Sequence, residues 1–131
     1  MEDFIKREID KIGLIIKAIL LKVGLLKESG DRGSVPSVTK IELAEKLNMD
    51  LDGLVAGEDV PGVLIREYGF SNDNLEKFAE LLMDFIETSP GRATARKYVP
   101  AVISIYDYLH ENASDFSFNS YYALKELEKY M

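Results

Sequence analysis

The chain offers few residues equipped for chemistry, and each can be weighed by its neighbours in sequence. Its one histidine, His110, falls in the last turn of a stretch with helical periodicity, where a cation complements the helix dipole. With no second histidine and no cysteine, it has no ligand set to join and no thiol to activate. A surface residue near a helix end is the simpler reading. The absence of cysteine also removes disulfides and cluster ligation, and it fits a reducing cytoplasm.

Basic residues gather at Arg92, Arg96 and Lys97, in the run GRATARK over 91–97. Near a helix N-terminus such a group could hold a phosphate or a carboxylate. It could equally pair with the acidic middle of the same chain. The second is expected, because basic side chains in a first helical turn oppose the dipole and need compensation.

Residues 48–59 (NMDLDGLVAGED) have part of a calcium-loop pattern. Asp50, Asp52 and Gly53 occupy the third, fifth and sixth positions. The first position is Asn48 and the twelfth is Asp59, so the two strongest ligands are weakened, and Pro61 interrupts the exit helix. An acidic turn is the better account. Residues 39–56 also have the outline of a helix-turn-helix, with Ala44 at the small position and Asn48 suited to the left-handed turn. The reading helix would carry Asp50 and Asp52 and no basic or amide side chain. It would repel phosphate and offer nothing bidentate to a purine.

Carboxylates are abundant, but no pair has a recognisable catalytic setting, and no glycine-rich phosphate loop follows a strand. No cofactor is expected. Six of the seven tyrosines lie from Tyr98 to Tyr130, joined by Phe116 and Phe118. Tyr106 and Tyr108 cannot share a helix face, so one of them should be exposed or at an interface.

The elements that would position these residues read as helices throughout. Across 131 residues, 47% of them hydrophobic, one domain spanning 1–131 can bury a core of its own. The formal charge is −7, concentrated as a net −9 over residues 28–89. An acidic middle argues against wrapping nucleic acid or lying on an anionic membrane. Residues 12–26 (IGLIIKAILLKVGLL) resemble a targeting segment only superficially. Acidic residues precede them, Lys17 and Lys22 interrupt them, and the run is shorter than the ~20 apolar residues of a membrane span.

The spacing predicts a first helix over 2–27. Ile5, Ile9, Ile12, Ile16, Ile19, Val23 and Leu26 alternate steps of four and three, an unbroken heptad seam. Leu14, Ile15, Leu20, Leu21 and Leu25 widen the apolar surface, so more than one side must be covered. The expectation is a central helix wrapped by later ones. The alternative is a homodimer seam. Thr39 with Glu42 should cap a second helix ending near 47–48, followed by a short turn or helix over 50–56. Pro61 should open a short helix stopped by Gly69. Asp73 with Glu76 should cap a helix to about Thr88, and another, over 93–111, should kink at Pro100. Ser117 or Asn119 should cap a last helix, with Tyr121 or Tyr122, Leu124, Leu127 and Met131 facing inward.

Leu75, Phe78, Ala79 and Leu82 on one arm, with Thr94, Tyr98 and Ala101 on the next, resemble a single degenerate tetratricopeptide hairpin. The whole chain resembles a family of uncharacterised bacterial helical proteins. MEDFIKREIDKIGLIIKAIL, NLEKFAELLMDF, ARKYVPAVISIYDYL and FSFNSYYALKEL carry that likeness. The resemblance implies a long N-terminal helix with tetratricopeptide-like helices after it, and no site.

The sequence therefore predicts an all-α fold: an irregular bundle of five to six helices with a long N-terminal helix and a C-terminal tetratricopeptide-like hairpin. The expected function is a non-enzymatic cytoplasmic scaffold or interaction module, acting on a protein partner or on itself. A regulator binding nucleic acid through residues 39–56 is one alternative. A small enzyme with an unrecognised site is the other.

Overall fold

A computed structural model of the chain describes residues 2–112 and 119–130, with side chains of 11–112 and 122–130. The described residues are all-helical, with no strand. Helix α1 spans Glu2–Glu28, α2 Val35–Leu47, α3 Leu51–Val55, α4 Val60–Tyr68 and α5 Asn72–Thr88. Then come α6 over Arg92–Arg96, α7 over Val99–Asn112 and α8 over Asn119–Leu127, with short 3₁₀ turns at Arg32–Ser34 and Glu128–Tyr130. Eight α-helical segments replace the expected five to six, chiefly because turn-forming residues divide the chain more finely.

Two helix ends use one device. Asn48 closes α2 with φ 52°, and Gly69 closes α4 with φ 71°. Both are left-handed, the conformation that lets the chain turn back on the last carbonyls. In each case the next residue is a buried apolar one. Met49 donates its N–H to the Leu43 carbonyl at 3.1 Å, and Phe70 donates to Leu64 at 3.1 Å. The turns thus deliver Met49 and Phe70 into the core. Phe70 meets Phe78 edge-on, with ring centres 5.6 Å apart.

Three expected boundaries move. The second helix begins four residues before Thr39, with Pro36 in its first turn, where a missing N–H costs nothing. Thr39 is buried within it and donates to the Val35 carbonyl at 2.8 Å, so it caps nothing. Ser71, rather than Asp73, caps α5 by accepting from the Asn74 N–H at 3.2 Å. This leaves Asp73 in the first turn, where its charge suits the dipole. The helix expected over 93–111 breaks at Lys97 and Tyr98 instead of kinking at Pro100. Pro100 has no N–H to offer the Arg96 carbonyl, so the chain tightens to 3₁₀ bonds, Lys97 to Thr94 and Tyr98 to Ala95. Pro100 then sits in the first turn of α7. Thr94, Tyr98 and Ala101 therefore do not share one continuous helix. A cap at Ser117 and the side chains of Phe116, Phe118, Tyr121 and Met131 lie outside the described residues. Within α8, Leu127 is buried and Tyr122 is exposed.

The central element is α5, not α1. Its buried set includes Leu75, Phe78, Ala79, Leu81, Leu82, Phe85 and Ile86, and it packs against α1, α2, α6 and α7. Helix α1 runs beside it in the same direction. Gly13 lies against Asn74, and Lys27 reaches Asp84 at 2.8 Å and Glu87 at 3.3 Å. Helix α7 returns in the opposite direction: Phe85 packs on Tyr98, while Glu76 and Glu80 act on Tyr106.

Candidate functional site

The densest polar arrangement joins α2, α3 and the break between α6 and α7. Helix α3 has only five residues, too few to stand alone. It is held by its buried Leu51 and Leu54 and by the Asn48 turn. Asp52, on its outer side, accepts the Tyr98 hydroxyl at 2.5 Å and the Lys40 ammonium at 3.0 Å. Lys40 also lies 5.8 Å from the centre of the Phe85 ring, within cation–π range. Phe85 meets Tyr98 at 4.4 Å and 60°.

The electrostatics of this cluster favour structure over catalysis. The Tyr98 hydroxyl and then the Lys40 ammonium hold the Asp52 carboxyl below its ordinary range. The hydrogen bond to Asp52 raises Lys40. Burial, then the Asp52 acceptor, raises Tyr98. Every shift fixes the group in the form it already has at neutral pH. A nucleophile or general base needs the reverse, a pKa drawn toward the working pH. Beside the cluster, Lys40, Ala44, Asn48, Met49, Asp50 and Leu51 line an open depression of about 360 Å³.

The acidic turn and the helix-turn-helix outline both fall here. Asp52 is engaged by Lys40 and Tyr98, while Asp59 caps α4 by accepting from the Gly62 N–H at 3.2 Å. Among the described residues no three His, Asp or Glu side chains gather as metal ligands would. What this segment turns outward is a helix of five residues whose exposed side carries Asp52 and Gly53.

The basic cluster is divided by the α6–α7 break. Arg92 donates to the Lys129 carbonyl, and Arg96 donates through Nε to the Tyr130 carbonyl at 2.7 Å. Both satisfy carbonyls at the C-terminal end of the last helical turn, where partial negative charge accumulates. Lys97 is exposed and contributes to the low pKa of Asp52. His110 is exposed in the last turn of α7. Tyr106 is buried, and its hydroxyl is pushed up to about 12 by desolvation and by Glu80 and Glu76. Tyr108 is half-buried. Glu80 is raised by burial and by its acidic neighbours Glu76 and Asp84, but it stands on an exposed helix face.

The heptad seam of α1 closes this chain's own core where it is described. Ile16, Ile19 and Val23 are buried, and Ile12 and Leu26 pack at its edge. The side chains of Ile5 and Ile9 lie outside the described residues. The apolar residues beyond the seam divide. Ile15 and Leu20 pack against the core, whereas Leu14, Leu21 and Leu25 are 67%, 68% and 59% exposed. Ala18, between them, is exposed as well. Helix α1 therefore has two apolar faces, one covered by the chain and one open. Among the described residues no helix is long and apolar enough to cross a membrane.

No protein-family model, curated protein or solved structure matches this chain.

Proposed function

We propose that this chain is a non-enzymatic helical scaffold that binds a protein partner in the cytoplasm of a bacterium. The observation that carries the reading is the open face of α1. Three leucines in line on one helix, each more than half exposed, form a surface that soluble monomers rarely leave bare. The antiparallel packing of α5 against α7 is compatible with a scaffold. Self-association through the isoleucine seam would require opening the core, because Ile16, Ile19 and Val23 are already buried there.

The test is crosslinking of the chain in its native cell, with crosslinked peptides mapped, beside sedimentation of the purified chain. A scaffold gives a reproducible crosslinked partner with contacts on one face. A chain that sediments as a monomer and crosslinks to nothing overturns the reading.

A further inference from the structure

The open face of α1 has a recognisable geometry and a recognisable charge. Leu14, Ala18, Leu21 and Leu25 follow one another at steps of four, three and four. That is the spacing of a coiled-coil seam, and it runs about 16 Å along the helix. Lys17 and Lys22 border it on opposite sides, at the flanking positions that set partner choice in helix pairs. From residue 11 to residue 27 the chain has four lysines and no acidic residue, against a total charge of −7. The lysines are partly engaged. Lys27 is held by Asp84 and Glu87, and Lys22 reaches Glu42 at 2.7 Å. Lys17 has no ion pair among the described residues and is exposed beside the stripe.

We infer that this face docks one amphipathic helix of a partner protein, whose apolar seam is bordered by aspartate or glutamate. The inference rests on the scaffold reading and names its surface and the chemistry of its partner. Charge complementarity selects the occupant. A second copy set parallel would place Lys17 against the other copy's Lys22. An antiparallel copy centred on the stripe would put Lys17 on the same flank as the other copy's Lys17, and Lys22 on the same flank as its Lys22. Like charges at flanking positions oppose pairing, while acidic residues there would favour it. A membrane surface fits less well. Interfacial helices bury a broad apolar face that often carries tryptophan or phenylalanine, whereas this stripe is three leucines and an alanine wide.

The experiment uses the full chain and two synthetic three-heptad helical peptides with the same leucine seam, one flanked by glutamate and the other by lysine. Binding is read by fluorescence anisotropy at low and high salt. The glutamate peptide should bind at least ~10-fold tighter than the lysine peptide at low salt, and the preference should shrink as salt screens it. A Leu14→Ser/Leu21→Ser/Leu25→Ser variant should lose binding by a factor of about ten or more, with an unchanged melting temperature. Should that variant fold poorly, Lys17→Glu provides the second test and should narrow or reverse the charge preference.

Equal binding of the two peptides overturns the inference, as does undiminished binding by the folded serine variant. A dimer in sedimentation that the serine variant dissolves assigns the face to a second copy and overturns it too. Flotation with phosphatidylglycerol vesicles, lost in the serine variant, assigns the face to a membrane with the same consequence. If the serine variant still crosslinks to the native partner as the wild type does, the inference fails while the scaffold reading stands. If the wild type crosslinks to nothing, the scaffold reading itself fails.

Discussion

Helices α1 and α5 are the two longest in the molecule and lie side by side in the same direction, yet they place their apolar residues in opposite ways. Helix α5 has neighbours on several sides, and its apolar face is covered almost completely. Its carboxylates Glu76, Glu80, Asp84 and Glu87 lie toward the margin and the solvent. Helix α1 is at the edge of the bundle. It buries Ile16, Ile19 and Val23 on one face and leaves Leu14, Leu21 and Leu25 in water on another. Apolar content alone therefore does not tell which helix is central. The number of sides that neighbours can cover decides it, and on α1 that number falls short of the apolar faces available.

The contrast can be broken most sharply by truncation. Phe78→Ala on α5 removes a fully buried ring and should cost about 3–5 kcal/mol. Leu21→Ala on α1 should change stability by no more than ~0.5 kcal/mol. Urea denaturation of the two variants measures both. Similar losses would mean that α1 is covered as α5 is.

A smaller effect tests whether the Asp52 cluster binds the short helix α3 to the core that α5 organises. Tyr98→Phe removes the hydroxyl donor to Asp52 and should cost about 1–2 kcal/mol, toward the low end for a hydrogen bond to a charged group because Asp52 is exposed. The pH dependence has a definite sign. The folded pKa of Asp52 is depressed by Tyr98 and Lys40 from an ordinary value of 3.8. Its contribution is therefore fully present above that value and lost as the pH falls through the lower folded one. Acid unfolding of Asp52→Asn should show a shallower loss of stability in that window than the wild type. Identical acid profiles would remove Asp52 from the account of stability.

The smallest effect sharpens the picture of the two faces of α1. Nothing lies within 4 Å of a Cβ built on Gly24, but one built on Gly13 would lie 2.9 Å from Oδ1 of Asn74, which is buried on α5. Gly24→Ala should gain about 0.5–1 kcal/mol of helix propensity. Gly13→Ala should gain nothing or lose stability, since Asn74 has little room to yield. Thermal melts of the pair decide it, and equal gains would mean that α1 and α5 are not in close contact at Gly13.

Much of the fold was legible because local signals were strong. The heptad steps of α1, the left-handed turn at Asn48, and Pro61 with Gly69 around α4 all appear where the sequence places them. The errors came where two local signals competed. Thr39 and Asp73 have the side chains of caps, but Pro36 and Ser71 start their helices earlier. Pro100 was legible as a disturbance, but periodicity does not tell a kink from the 3₁₀ break that the chain makes at Lys97 and Tyr98.

The candidate site was less legible. Tyr98 and Asp52 are 46 residues apart, and no spacing rule links them. The carbonyls that receive Arg92 and Arg96 belong to the backbone and carry no sequence signature. Periodicity also fixed the angles between the apolar faces of α1 without saying which face the rest of the chain would cover.

The openness of α1 is most directly measured by hydroxyl-radical footprinting of the purified chain, at a concentration where sedimentation shows a monomer, and again in the native cell. Leu14, Leu21 and Leu25 should be oxidised readily in the purified chain while Phe78 and Leu82 are protected, and the three leucines should become protected in the cell. Leucines protected in the purified monomer, or oxidised equally in both settings, would contradict an open face awaiting a partner.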